Sequence, residues 1–163
     1  MKKTVVSVSC ALLALVMLCA CGSKPQADVS LFALKEAMLA AAPFGDMAYV
    51  SSEDADAQTY LSTVADIPFE KVDAFSISYA KDGKGNADEV VVIRVKDATD
   101  TAAALSALKT HLKTRQSLYA TYDPTQSEKI SQGIAFSSGL WAVMIVSDDN
   151  AAVKAAFEKA VAA

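Results

Sequence analysis

Hydrophobic positions follow three different rhythms along the chain, and each predicts a different kind of element. Residues 4–18 carry no charge, and Ala11-Leu12-Leu13-Ala14-Leu15-Val16-Met17-Leu18 is their densest part. Beyond residue 28 the spacing becomes helical. Leu31, Leu34 and Met38 recur on one face, widened by Phe32 and Leu39, and predict a helix that Asp28 or Ser30 can cap and Pro43-Phe44-Gly45 ends. A second helix is expected from about Asp54 to Val64. Glu53, Asp54 and Asp56 lie in or before its first turn, where the helix dipole favours carboxylates, and Ile67-Pro68 stops it.

The period then drops to two. Phe75, Ile77 and Tyr79 alternate with Ala74, Ser76 and Ser78, the pattern of a strand with one buried face. Asp82-Gly83-Lys84-Gly85-Asn86 is a turn. It leads into Val90–Lys96, where Val91, Ile93 and Val95 point one way and Arg94 and Lys96 the other, completing a hairpin. A long helix is expected from about Thr99 to Leu118, with Leu105, Leu108, Leu112 and Tyr119 marking its buried stripe. Tyr122-Asp123-Pro124-Thr125 is a turn, and Ile130, Ile134 and Phe136 alternate in a third strand. Ser137-Ser138-Gly139 turns into Leu140–Val146. That strand is apolar on both faces, so it belongs in the middle of the sheet. Ser147-Asp148-Asp149-Asn150 caps a last helix with Val153, Phe157, Ala160 and Val161 facing inward.

The expected order is two N-terminal helices followed by ββα-ββα. This predicts an α+β domain with a four-stranded, mainly antiparallel sheet. The later two helices are expected on one face, leaving the N-terminal pair to cover part of the other.

The front of the chain changes the picture from a domain to an anchored domain. Lys2 and Lys3 precede the apolar run, the layout of a secretory signal. Its uncharged stretch is about 15 residues, whereas a bilayer-spanning helix needs about 20. Leu18-Cys19-Ala20-Cys21 resembles a bacterial lipobox. That resemblance implies a diacylglycerol on the Cys21 sulfur, cleavage by signal peptidase II between Ala20 and Cys21, and Cys21 as the new N-terminus. Residues 1–20 are then a removed lipoprotein signal peptide, 21–28 a lipidated tether, and 29–163 a single globular domain. Two acyl chains, palmitate being typical, give stable membrane attachment where one holds only marginally. The expected location is the outer, extracytoplasmic face of a bacterial cytoplasmic membrane.

Removing the signal leaves 13 Lys and Arg against 19 Asp and Glu, an acidic balance that argues against nucleic-acid partners. Cys10 and Cys19 leave with the signal and Cys21 carries the lipid. The remaining domain therefore has no thiol for disulfides, nucleophilic attack or thiolate metal sites.

The residues that could carry chemistry are few. His111 is the only histidine, at the edge of the long helix's stripe, and no serine sits in a Gly-x-Ser-x-Gly setting. One histidine without thiols excludes an ordinary zinc site. Asp82–Glu89 has acidic spacing faintly like a calcium loop, but Lys84 falls where an oxygen ligand is needed, and a plain hairpin loop explains it. Glu53, Asp54 and Asp56, and likewise Asp148 and Asp149, cluster at helix starts, where capping accounts for them. Trp141 and Tyr122 are the candidate binding-surface residues, although Trp141, beside a turn and in a two-sided strand, favours the core. No catalytic residue, metal or cofactor is assigned.

Val90-Val91-Val92-Ile93-Arg94-Val95-Lys96-Asp97 before a long helix, Tyr122-Asp123-Pro124, and Gly139-Leu140-Trp141-Ala142-Val143-Met144-Ile145-Val146-Ser147-Asp148 before a last helix form a familiar series. Together with the lipobox, it resembles the small bacterial lipoproteins of domain-of-unknown-function family 4358. The resemblance runs from about Ser30 to the end and implies no activity. The expectation is a membrane-anchored, non-enzymatic binding or interaction module with a protein or envelope partner. The alternatives are a small-ligand or peptide receptor associated with a transporter, and a carboxylate-based envelope hydrolase.

Overall fold

A computed structural model describes residues 29–82 and 85–162. The expected signal peptide, the expected cleavage and lipid site at Ala20 and Cys21, the expected tether, and Gly83 and Lys84 of the hairpin loop lie outside the described residues. The elements are α1 (Leu31–Leu39), β1 (Met47–Ser51), α2 (Ala57–Val64), β2 (Val72–Ala80), β3 (Glu89–Val95), α3 (Thr101–Tyr122), α4 (Pro124–Ser131), β4 (Ile134–Ser138), β5 (Trp141–Val146) and α5 (Asn150–Val161). Single 3-10 turns precede β2 and α3.

The fold is α+β, and its sheet is antiparallel throughout in the order β1-β2-β3-β5-β4. It has five strands rather than the expected four. The added strand, β1, reads Met-Ala-Tyr-Val-Ser and is half-buried along most of its length, so alternation does not reveal it. It forms one edge through register pairs from Met47↔Ala80 to Ser51↔Ser76. A fifth helix is also added. Residues 124–131 form α4, with Pro124 in its first turn and Asp123 capping Gln126 N at 3.2 Å. Ile130 therefore belongs to a helix and not to the third strand.

The helices divide between the faces, which corrects the one-face expectation. On the first face Phe75, Ile77, Val91, Ile93, Val95, Ala142 and Met144 pack under Leu61 and Val64 of α2 and Ala104 and Leu108 of α3. On the second face Val90, Val92, Trp141, Val143 and Ile145 pack under Leu34 and Met38 of α1 and Val153 and Phe157 of α5. β5 is buried at every position, as its two-sided apolar run predicts for an inner strand. β3 is buried everywhere but at Arg94, so Val90 and Val92 face a core and not solvent.

Local chemistry sets the ends of these elements. Asp149 caps α5 by accepting from Ala152 N at 2.9 Å. The β4–β5 hairpin turns at Gly139, whose φ of +55° suits the first position of a tight two-residue loop. Asp97 accepts from Thr99 N at 2.8 Å, and Asp100 pairs with Lys71 at 2.6 Å, which ties the start of α3 to the start of β2.

Phe32 departs from the expected α1 stripe. It is 60% exposed, because α1 turns Leu34 and Met38 inward and Phe32 lies off that line. The Lys35 ammonium sits over both its ring and that of Tyr49, at 4.4 and 4.3 Å.

Candidate functional site

Glu89 begins β3 and stands on the first face, opposite Tyr79 of β2 in the strand register. It is the point where the continuous valine run of that strand becomes acidic. The side chain is only 7% exposed, so its charge needs compensation inside the fold. Two residues of α3 supply it. His111 and Arg115 are four apart and share one side of that helix. His111 Nε2 lies 3.0 Å from Glu89 Oε2, and Arg115 Nη1 lies 3.0 Å from the same oxygen. With Glu89 accepting, the neutral His111 ring carries its proton on Nε2 and leaves Nδ1 as an acceptor. The imidazole is mostly buried rather than half-exposed as a surface residue would be.

The backbone around Glu89 is pinned from both sides. Arg115 also donates to the Ala87 carbonyl at 3.2 Å, and the Ala87 N–H donates to Gln126 Oε1 of α4 at 2.8 Å. α4 is itself fastened to α3 by the Ser127 hydroxyl donating to the Gln116 carbonyl at 3.0 Å. Next door, Asp88 is buried and turned to Lys129, whose Nζ lies 2.5 Å from it and 2.8 Å from Asp148. Burial alone would lower the Lys129 pKa, but the two carboxylates prevail and raise it.

Glu89, His111 and Arg115 line an open cleft of about 390 Å³ between α2, α3 and the end of the sheet. Val50 and Ile77 form its floor with Tyr79 at its mouth, Tyr60, Thr63 and Val64 its α2 wall, Tyr119 extends its α3 wall, and Asn86 and Asp88 also line it. His111, Thr63 and Val64 also line a groove that continues between the two helices toward Ser106 and Ala103. The volume falls in the lower range of small-ligand sites, and an apolar floor beside converging polar groups is found in them.

The other candidates separate cleanly. Asp54 accepts from the Ser51 N–H at 2.6 Å, occupying one outward donor of the β1 edge, so it serves the sheet. Asp149 is a cap, and Asp148 is an ion-pair partner. Among the described residues no group of three or more His, Cys, Asp or Glu is arranged to hold a metal ion. No helix there is long and apolar enough to cross a membrane. Trp141 is 1% exposed and packs edge-on to Phe157 at 6.2 Å, so it is core and offers no surface for binding. Tyr122 is 59% exposed at the end of α3. Partial desolvation by its neighbours raises its pKa, assisted by Tyr119, whose ring is 5.0 Å away.

A family model described as Domain of unknown function (DUF4358) matches residues 46–147, more than half of the chain. The chain belongs to this family. The matched stretch runs from β1 through β5 and contains every cleft residue, while α1 and α5 fall outside it. No curated protein and no solved structure matches the chain. The family therefore brings no substrate or partner to the DUF4358 domain, and the cleft has to be read from its own chemistry.

Sequence reading missed Glu89 and Arg115. In the sequence Glu89 reads as the end of the acidic hairpin loop, and Arg115 stands among the polar positions of the long helix. The available signal was the i,i+4 spacing of His111 and Arg115 beside the buried stripe, which marks a basic edge in need of an acid.

Proposed function

We propose that the protein is a lipid-anchored, non-enzymatic binding module on the outer face of a bacterial cytoplasmic membrane, and that the α2/α3 cleft takes its ligand. The anchor rests on the lipobox and the charged, then apolar, leader before it. The ligand site rests on one observation. Glu89 Oε2 receives both His111 and Arg115, while Oε1 has no partner among the described residues and is not sealed from solvent. A buried acid held by one hydrogen bond and one ion pair, with one acceptor left toward an opening, is a preorganised contact point.

Hydrolysis by carboxylates fits less well. It needs a second acid facing the first across the substrate, and the adjacent Asp88 is engaged by Lys129. A receptor that passes its ligand to a transporter is the version of this reading in which the bound molecule moves on.

His111 is the only histidine, so its ring proton signals identify themselves in an NMR spectrum. Adding a low-molecular-weight cell-envelope fraction to the purified mature chain should shift them. Thr63→Trp, an exposed cleft-wall change, should block that shift without unfolding the domain. Signals that ignore every envelope fraction would refute the binding reading. Cys21→Ser should abolish fatty-acid labelling in cells, and continued labelling would refute the anchor.

A further inference from the structure

The chemistry of the cleft also restricts what can enter it, given the binding reading above. Charge is the first restriction. Glu89 pairs with Arg115 at 3.0 Å, Asp88, which also lines the cleft, pairs with Lys129 at 2.5 Å, and a neutral His111 ring would add no charge. An anion would meet the Glu89 carboxylate within an acidic domain, and a cation would meet the Arg115 guanidinium. Either would have to strip water from its own charge with no unpaired opposite charge to receive it. An uncharged ligand has no such cost.

Hydrogen bonding is the second restriction. Glu89 Oε1 and, in the neutral ring, His111 Nδ1 are acceptors without a partner among the described residues. The hydroxyls of Tyr60 and Tyr79 likewise have none, and each can donate or accept. These groups stand around a floor that is apolar at Val50 and Ile77. Shape is the third restriction. Tyr79 is 39% exposed at the mouth, an aromatic face offered to a flat apolar surface. A ligand that carries hydroxyl donors and acceptors around its rim and C–H groups on its faces meets all three conditions. That is the chemistry of an uncharged sugar ring.

We propose that the cleft binds a neutral saccharide, with Glu89 Oε1 accepting from a ring hydroxyl and Tyr79 covering one sugar face. The test uses the purified mature chain with chitobiose, cellobiose and maltose as probes, and arginine and acetate as charged controls. The readout is the shift of the His111 ring signals. At least one disaccharide should shift them saturably, with an affinity unchanged between low and moderate salt. Tyr79→Ala should weaken that binding about tenfold, the upper range of an aromatic contact. Glu89→Gln, checked for folding by circular dichroism, should weaken it further. Because Tyr79 is partly exposed, its variant keeps the test decisive even if Glu89→Gln does not fold.

Stronger shifts with arginine or acetate than with any sugar would overturn the proposal. So would silence with all three disaccharides, or a sugar response that Tyr79→Ala leaves intact. If the disaccharides fail while an envelope fraction still shifts His111, the ligand class is wrong and the binding module stands. If both fail, both readings fall.

Discussion

Replacing Arg115 with methionine tests the claim that Glu89 is held by charge compensation. The change keeps an apolar stem of similar length but removes the guanidinium, which lies 3.0 Å from Glu89 Oε2 and 3.2 Å from the Ala87 carbonyl. Breaking one side of a fully buried ion pair costs about 3–5 kcal/mol. Two features reduce that here. His111 remains 3.0 Å from the same oxygen, and the cleft admits water. The expected loss is therefore about 2–3 kcal/mol. For a domain of this size that lowers Tm by about 10 °C. Urea unfolding followed by fluorescence of Trp141, the only tryptophan and fully buried, measures it directly. The double variant Glu89→Gln/Arg115→Met removes the stranded charge and should recover at least half of the loss. A single variant within about 0.5 kcal/mol of wild type, or a double variant no better than the single, would refute the reasoning.

Three further outcomes are expected. Gly133→Ala should destabilise by about 1–3 kcal/mol in urea unfolding. A Cβ there meets the Ile130 carbonyl oxygen at 2.9 Å, Val146 Cγ2 at 2.9 Å and Leu112 Cδ1 at 3.0 Å. Phe157→Ala should cost about 3–5 kcal/mol, since it empties the second core between Phe136 and Trp141, whereas Phe32→Ala on the exposed side of α1 should stay within about 0.5 kcal/mol. Lys129 has a folded pKa above its ordinary 10.5, so its stabilising contribution is complete below that value and is lost as pH rises through the folded pKa. The stability gap between wild type and Lys129→Met should be constant in mild alkali and close only beyond about pH 10.5, as read by urea midpoints across an alkaline series.

What the sequence determined by itself is everything that one element's geometry can express. The two-sided apolar run of residues 141–146 predicts an inner strand and is one. Asp149 caps α5, and Gly139 makes the β4–β5 turn, because caps and tight turns involve residues a few positions apart. The α3 stripe is legible for the same reason. β1 is not, because an edge strand that is half-buried along its length carries no clean alternation. α4 was hidden by Pro124, which opens a helix as readily as it makes a turn.

The tertiary structure alone decided which face each helix covers. A strand buried on both sides accepts α3 on either one, and only the chain path places α3 and α5 on opposite faces. It alone also made the cleft. Glu89 and Arg115 meet across 26 positions of sequence and across two elements with unrelated periods, so no local pattern records their contact. Periodicity follows from the geometry of a single helix or strand. A buried charge pair between elements exists only once packing has excluded the water that would otherwise separate them.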